Sequence, residues 1–380
     1  MEDGRWKMKR LYSRWLLRVA VPVVLCVGCM RDAEAQPLRK VLFEEFTGEW
    51  CSLCPGGTLE MEKVLRANAG RVVPISYHDN DPLEPAQLNA MLDSIPFDPL
   101  YPGGTFDRLP WSENNPKHKM SVDRFDFLST FEKSAARPAE ADISAAVSLD
   151  RTSRLLTVNT RVEFVAAMQG DFRMHCVVTE NGVQRNGTQL NAYDNDSLSY
   201  PSLFGAGNPL RIWAHEYVAR SLLGGAAGWA GAIPRGTVPG RPYFETFLYD
   251  VPASTSIDKL GVAVFVSKYQ NRSLNGNEVL NAEGYLGSVI TDVPAAPVSA
   301  AAWSLYPNPC NGIAYLRAKD SDAGTEAVQI FDIMGRRMRD ARVNAFPDGR
   351  QLDLRALPSG LYHVRFSAGT SVETMLLMKR

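Results

Sequence analysis

Past its amino-terminal segment the chain has no basic block and no Arg-rich helix, and its formal net charge is −1. Nothing in it points to nucleic acid. It has no Gly-rich phosphate loop and no Ser/His/Asp order, so neither phosphate-cradle nor triad chemistry is indicated. Histidine is scarce, five in all. His215-Glu216 is not followed by a second histidine at helical spacing, so it is not a zinc motif. Internal repeats and low-complexity tracts are lacking. Beyond the first 35 residues no apolar run approaches the ~20 residues that cross a bilayer as a helix. Cysteine is sparse as well: six residues, of which Cys26 and Cys29 fall in the amino-terminal segment.

That segment is informative. Arg5, Lys7, Lys9, Arg10, Arg14 and Arg18 precede the apolar run Val19–Gly28, and Ala33-Glu34-Ala35 places small residues at a cleavage site. The pattern is a secretory signal peptide over residues 1–35, cut before Gln36 by signal peptidase. Met8 is an alternative start. Lipoprotein processing at Cys29, after Val27-Gly28, is an alternative cut. Export leaves Cys51, Cys54, Cys176 and Cys310 in a compartment where a disulfide persists.

Two of these cysteines form the most telling stretch, Trp50-Cys51-Ser52-Leu53-Cys54-Pro55. A strand-like run, 40–46, precedes it and a helical pattern, 59–66, follows. A CxxC between a strand and a helix suits a redox dithiol, because the helix amino end stabilises the thiolate of the first cysteine. Such a setting lowers a thiol pKa from about 8.5 to roughly 3.5–7.5. Half of a zinc site is the alternative, but it needs a second ligand pair. Cys176 and Cys310 are isolated from each other and from any CxxC.

With 380 residues, two or three domains are expected. Residues 36–138 read as an α/β unit: strand 39–46, helix 55–68, strand 72–77, a helical insertion at 84–93, a short strand at 105–106 and a closing helix over 121–135. That last helix is expected to bury Phe125, Leu128 and Phe131 on one side. Residues 139–292 read as a β-rich, sandwich-like domain. Leu156, Val158, Val162 and Phe164 alternate with polar residues, and Phe172, Met174, Cys176 and Val178 alternate with Arg173, His175 and Val177. Cys176 thereby reads as an inert core thiol. Gly261–Val266 reads as a strand buried on both faces. Residues 293–303, rich in Pro and Ala, read as a linker. Residues 304–380 show short β-runs between turn residues, a small immunoglobulin-like sandwich. The fold class is therefore multidomain, α/β plus all-β.

Three resemblances add to this. The opening Tyr306-Pro-Asn-Pro309, Ile330-Phe-Asp-Ile-Met-Gly-Arg336 and Leu357-Pro-Ser-Gly-Leu-Tyr362 resemble the carboxy-terminal sorting domain of type IX secretion in Bacteroidetes-type bacteria. That implies passage through the periplasm to the outer-membrane surface or the medium, with the type IX machinery and its sortase as partners. The order of elements in 36–138 resembles thioredoxin. The resemblance implies a cis-proline at Pro102, beside Tyr101, facing the CxxC. It also implies a buried proton-transferring acid at Glu45 and a covering aromatic at Trp50. Ser52-Leu53 departs from the Gly-Pro of thioredoxins. His78 reads as a surface-loop histidine, and Glu44 is expected on the strand face opposite Glu45. Finally, Glu45-Phe-Thr-Gly-Glu-Trp-Cys-Ser-Leu-Cys-Pro55, Tyr101-Pro-Gly-Gly-Thr-Phe-Asp-Arg108 and His215-Glu-Tyr-Val-Ala-Arg220 resemble an outer-membrane-protein family related to the 28-kilodalton antigen of such bacteria.

Two functions are compatible with these features. In the first, Cys51 attacks, Cys54 resolves, Glu45 shuttles a proton and Pro102 orients the substrate backbone. The partner is a protein dithiol or disulfide, and no diffusible cofactor is needed beyond the redox-active disulfide. In the second, the chain is a surface binding or adhesion protein, its Cys51–Cys54 disulfide is structural, and the β-rich domain carries the ligand contacts.

Overall fold

The computed structural model describes residues 36–111, 120–286, 291–292, 303–318, 325–332, 336–346, 349–368 and 371–380. The expected signal peptide (1–35) and all of the expected linker except Trp303 lie outside the described residues. The fold is mostly β-sheet, in several sheets, with few helices.

The chain opens with β1 (Val41–Thr47), α1 (Cys54–Ala67) and β2 (Val72–His78). β1 and β2 run parallel, Val41 opposite Val72 and Thr47 opposite His78, with α1 as the crossover. Parallel strands need such a connection, and burial on both faces explains the near-continuous apolar sequence of β2. α1 turns Met61 and Val64 inward, starts with Pro55 in its first turn, and ends where the Asn68 side chain donates to the Val64 carbonyl at 3.0 Å. α2 (Leu88–Ser94) follows, then β3 (Gly103–Phe106), antiparallel to β1, and β4 (Val122–Asp123) beside β3.

The closing helix is α3 (Phe127–Ala135), preceded by a single 3-10 turn at Arg124–Asp126. Its buried face is Phe127, Thr130, Phe131 and Ser134. Phe125 and Leu128 are 69% and 46% exposed, against the sequence expectation. The i, i+3, i+4, i+7 set that starts at Phe127 buries two phenylalanines. Phe125 lies in the 3-10 turn ahead of the helix, and it is Phe127 whose ring meets those of Phe43 and Phe106.

Next come β5 (Ala141–Asp150), β6 (Leu155–Phe164), β7 (Phe172–Glu180), β8 (Val183–Gln184), β9 (Ala214–His215), β10 (Val218–Leu223), β11 (Trp229–Ala230), β12 (Pro242–Asp250), β13 (Leu260–Lys268), β14 (Val279–Leu286) and β15 (Thr291–Asp292). β12, β6, β5 and β15 form a four-stranded sheet. Its apolar face meets β7 and β13 in one core that includes Val158, Phe164, Cys176, Phe247 and Val264. This is a face-to-face sheet packing with alternating inward residues.

The boundary expected at 138/139 does not separate two sheets. One sheet runs β14-β13-β7-β10-β2-β1-β3-β4, with β11 added beside β7. The seam is Val218 of β10 opposite Ser76 of β2, where the Ser76 amide donates to the Tyr217 carbonyl at 2.8 Å. Two buried arginines explain the join. Arg39 donates to Asp107 Oδ2 at 2.7 Å and to the carbonyls of Val279 and Leu280 of β14. Arg108 donates to both oxygens of Glu44 in β1, at 2.9 and 2.7 Å, and lies 4.8 Å from the Phe265 ring of β13. Only Arg offers five donors in a planar fork that can satisfy so many acceptors at once.

The remaining strands are β16 (Trp303–Tyr306), β17 (Ile313–Ala318), β18 (Thr325–Asp332), β19 (Arg342–Phe346), β20 (Gly349–Asp353), β21 (Gly360–Ala368) and β22 (Ser371–Lys379). They form a four-stranded sheet, β16-β17-β20-β19, and a three-stranded one, β18-β21-β22, around their own core of Leu305, Leu316, Ile330, Leu352, Val364 and Phe366. Trp303, expected in the linker, already belongs to β16, opposite Ala318 of β17. Among the described residues no helix is long and apolar enough to cross a membrane.

Candidate functional site

Cys51 and Cys54 form a disulfide, their Cα atoms 5.3 Å apart. It sits where β1 hands over to α1, with Cys54 the first helical residue. Cys51 is 6% and Cys54 1% exposed, so Cys51 is the less buried cysteine. The residues between and beside them face out: Leu53 is 41% and Trp50 44% exposed. Trp50 donates from Nε1 to the Asp79 carbonyl at 2.7 Å, and its ring lies 5.1 Å from that of Tyr101. Tyr101 in turn donates to Asp79 Oδ2 at 2.7 Å. Trp50 and Tyr101 are thus both anchored on Asp79, at the outlet of β2.

The Tyr101–Pro102 peptide is cis. Pro102 and Glu45 come together at Gly57, in the first turn of α1. A Cβ on Gly57 would lie 2.6 Å from Pro102 Cβ and 3.4 Å from Glu45 Oε1. Glycine there lets the proline and the carboxyl approach the backbone of the turn that Cys54 begins. Glu45 is buried, accepts one hydrogen bond from Ser76 Oγ at 2.9 Å, and has no partner on Oε1. Burial pushes its carboxyl up to about 7, against the Ser76 hydrogen bond, which lowers it. Glu44, one residue earlier, is equally buried but faces Arg108 and Tyr77. Neither glutamate is a solvated strand end.

Sequence reasoning misplaced His78. It ends β2, is buried, and its Nδ1 lies 2.6 Å from Asp81 Oδ2. Its ring meets that of His215 edge-on at 4.6 Å. Burial drives His215 down to about 3, so it is neutral at pH 7. Its 3.8 Å approach to Glu49 Oε1 is then a contact and not an ion pair. Among the described residues no group of three or more His, Cys, Asp or Glu could hold a metal ion.

The sequence reading also missed residues 185–213. They leave β8 and return at β9, which pair through Val183–His215 and Gln184–Ala214. In between they lie across the CxxC. Leu190 N donates to the Glu49 carbonyl at 2.9 Å, Gln189 Nε2 to that of Cys51 at 2.9 Å, Ala192 N to that of Ser52 at 2.8 Å and the Tyr193 hydroxyl to that of Leu53 at 3.4 Å. One available signal was length, since a long stretch without regular structure inside a compact domain is commonly functional.

HBP35 of Porphyromonas gingivalis aligns with a TM-score of 0.51 at 15% identity, over 91% of this chain and 100% of that chain. At that identity the likeness is one of fold. A structural-genomics protein of Agrobacterium tumefaciens aligns over 67% of this chain and 97% of that one, at 16% identity and a TM-score of 0.40. No curated protein matches the sequence. Residues 304–379 match the model of the secretion system C-terminal sorting domain. The tail engages the type IX secretion machinery, and the chain is exported to the outer-membrane surface or the extracellular space.

Proposed function

We propose that residues 36–138 are a thioredoxin-like unit and that the exported chain carries out thiol–disulfide exchange through Cys51 and Cys54. The observation that supports this best is the meeting of Pro102 and Glu45 at Gly57, in the same first turn of α1 that Cys54 begins. A buried carboxyl with one orphan oxygen and a raised pKa is costly unless it serves a purpose. Tyr101–Arg108, one of the motifs that resemble the 28-kilodalton antigen family, supplies the cis proline and the buried Asp107 and Arg108.

In the exchange, a thiolate of a partner dithiol attacks Cys51 Sγ. The Cys51–Cys54 bond breaks and Cys54 leaves as a thiolate, which Glu45 protonates. The partner's second thiolate then displaces Cys51. Two electrons pass to the protein and the partner leaves as a disulfide. The reverse sequence, with Glu45 taking the Cys54 proton, oxidises the pair against a partner disulfide. Ser52 and Leu53 set how well the Cys51 thiolate is held and hence the potential.

One observation favours the scaffold reading instead: Cys51 is only 6% exposed beneath residues 185–213. The test is a redox titration of the mature protein, with alkylation of Cys51 and Cys54 read by mass spectrometry, together with insulin reduction. Cys51→Ser should keep the fold and lose the reduction. Activity surviving in that variant, or a pair that no biological exchanger reduces, ends the exchange reading.

A further inference from the structure

We infer that residues 185–213 are a movable strap that closes the Cys51–Cys54 disulfide to attack, and that Glu49 is its clasp. The strap's use as a gate rests on the exchange reading above. Its effect on access does not.

Four carbonyls of the CxxC loop, those of Glu49, Cys51, Ser52 and Leu53, accept hydrogen bonds from the strap. The strap therefore lies along the loop and does not merely pass near it. Thiol–disulfide exchange needs an attacking sulfur to reach a disulfide sulfur, so access governs its rate. With Cys51 almost fully covered and Cys54 more so, closure leaves no open approach.

The strap is built to detach as a unit. Its apolar side is a separate small core of Tyr193, Tyr200, Leu203 and Leu210, packed on Leu59 of α1 and on Trp213. None of these residues belongs to the cores that join the sheets. Segments with few apolar contacts to the main core open at lower free energy than the whole molecule. Besides its four bonds to the loop carbonyls, contacts to two carboxylates hold it down. At one, the Glu49 carboxylate accepts from Thr188 Oγ1 at 2.6 Å and from Arg185, whose second contact is 3.2 Å. At the other, the Tyr200 hydroxyl donates to Glu60 of α1 at 3.1 Å. Gly56 makes the close fit possible: a Cβ there would lie 2.7 Å from both Tyr193 Oη and Tyr200.

The experiment uses the mature full chain and dithiothreitol, which needs no protein partner. Its thiolate attacks Cys51 Sγ, Cys54 leaves, and the second sulfur of the reductant displaces Cys51 as it closes to a cyclic disulfide. The rate is read by quenching with an alkylating agent and counting labels by mass spectrometry. Arg185→Ala with Thr188→Ala opens the clasp, and Gly56→Ala pushes on the tyrosines from the other side. Each should speed reduction by about tenfold or more, the scale of losing a charge-assisted hydrogen bond. Amide exchange at Leu190 and Ala192 should quicken while β13 stays protected. If those amides quicken and the reduction rate stays at the wild-type value, the strap does not control access and the inference is overturned. Should the variants lose protection in β13, wild-type protein nicked by chymotrypsin at the exposed Leu198 serves instead. Faster reduction of the nicked chain supports the strap, and an unchanged rate overturns it. An opened protein that reacts fast with dithiothreitol yet leaves insulin intact keeps the strap and removes the exchange function.

Discussion

Glu44 and Glu45 are consecutive in β1, both buried, and only Glu44 has a counter-ion, the Arg108 guanidinium at 2.7 Å. The strand's period of two sends their side chains to opposite faces. Glu44 enters the layer that joins β1 to β13, where Arg108 meets Phe265. Glu45 enters the layer under α1, where Ser76 and Gly57 are its neighbours. The same residue type thus ties the sheet together on one side and supplies a titratable carboxyl on the other.

Glu45 should make stability fall as pH rises. Its native pKa, about 7, lies above the ordinary 4.5. Between those values the unfolded chain ionises first and binds fewer protons, so stability decreases from about pH 4.5 to 7 and is flat above. The effect is on the order of 3 kcal/mol. Urea unfolding at pH 4 and pH 8 should find Glu45→Gln close to wild type at the lower pH and relatively more stable at the higher. An equal difference at both pH values would show that Glu45 is not held protonated.

Arg108→Met should cost about 3–5 kcal/mol, because it leaves Glu44 buried with no cation. Adding Glu44→Gln should recover part of that loss, since the uncompensated charge goes with it. The urea midpoints of the single and double variants measure both effects.

Gly57→Ala should destabilise by about 1–3 kcal/mol through overpacking against Pro102. Helix propensity alone would make alanine the better residue by roughly 1 kcal/mol. A thermal melt showing Gly57→Ala more stable than wild type would mean that Pro102 is not fixed against α1.

After reduction, iodoacetamide at pH 8 should label Cys51 first. Cys176 should stay unlabelled in the native protein, because burial pushes its thiol far up. Cys310 is buried too and should also stay unlabelled. Peptide mapping by mass spectrometry checks this. Labelling of Cys176 before unfolding would place it outside the core shared by β7 and β13.

The sequence by itself determined what depends on neighbours along the chain. The strand–CxxC–helix order, the alternation that buries Cys176, and the tail motifs of 304–380 all follow from local spacing and local turn chemistry. The tertiary structure decided the rest. Whether the segment entering α3 buries Phe125 or Phe127 depends on what lies opposite it. His78 is buried because the segment carrying His215 packs over it. β2 joins β10 across the expected domain boundary, and Arg39, through the β14 carbonyls, and Arg108, through the Phe265 ring, tie the same two parts together. Residues 185–213 lie along the CxxC loop because four carbonyls far upstream take their donors from them. Periodicity records which face of an element is apolar. It carries no record of which distant element will satisfy that face, since that is settled only when non-local strands and loops compete for the same buried groups.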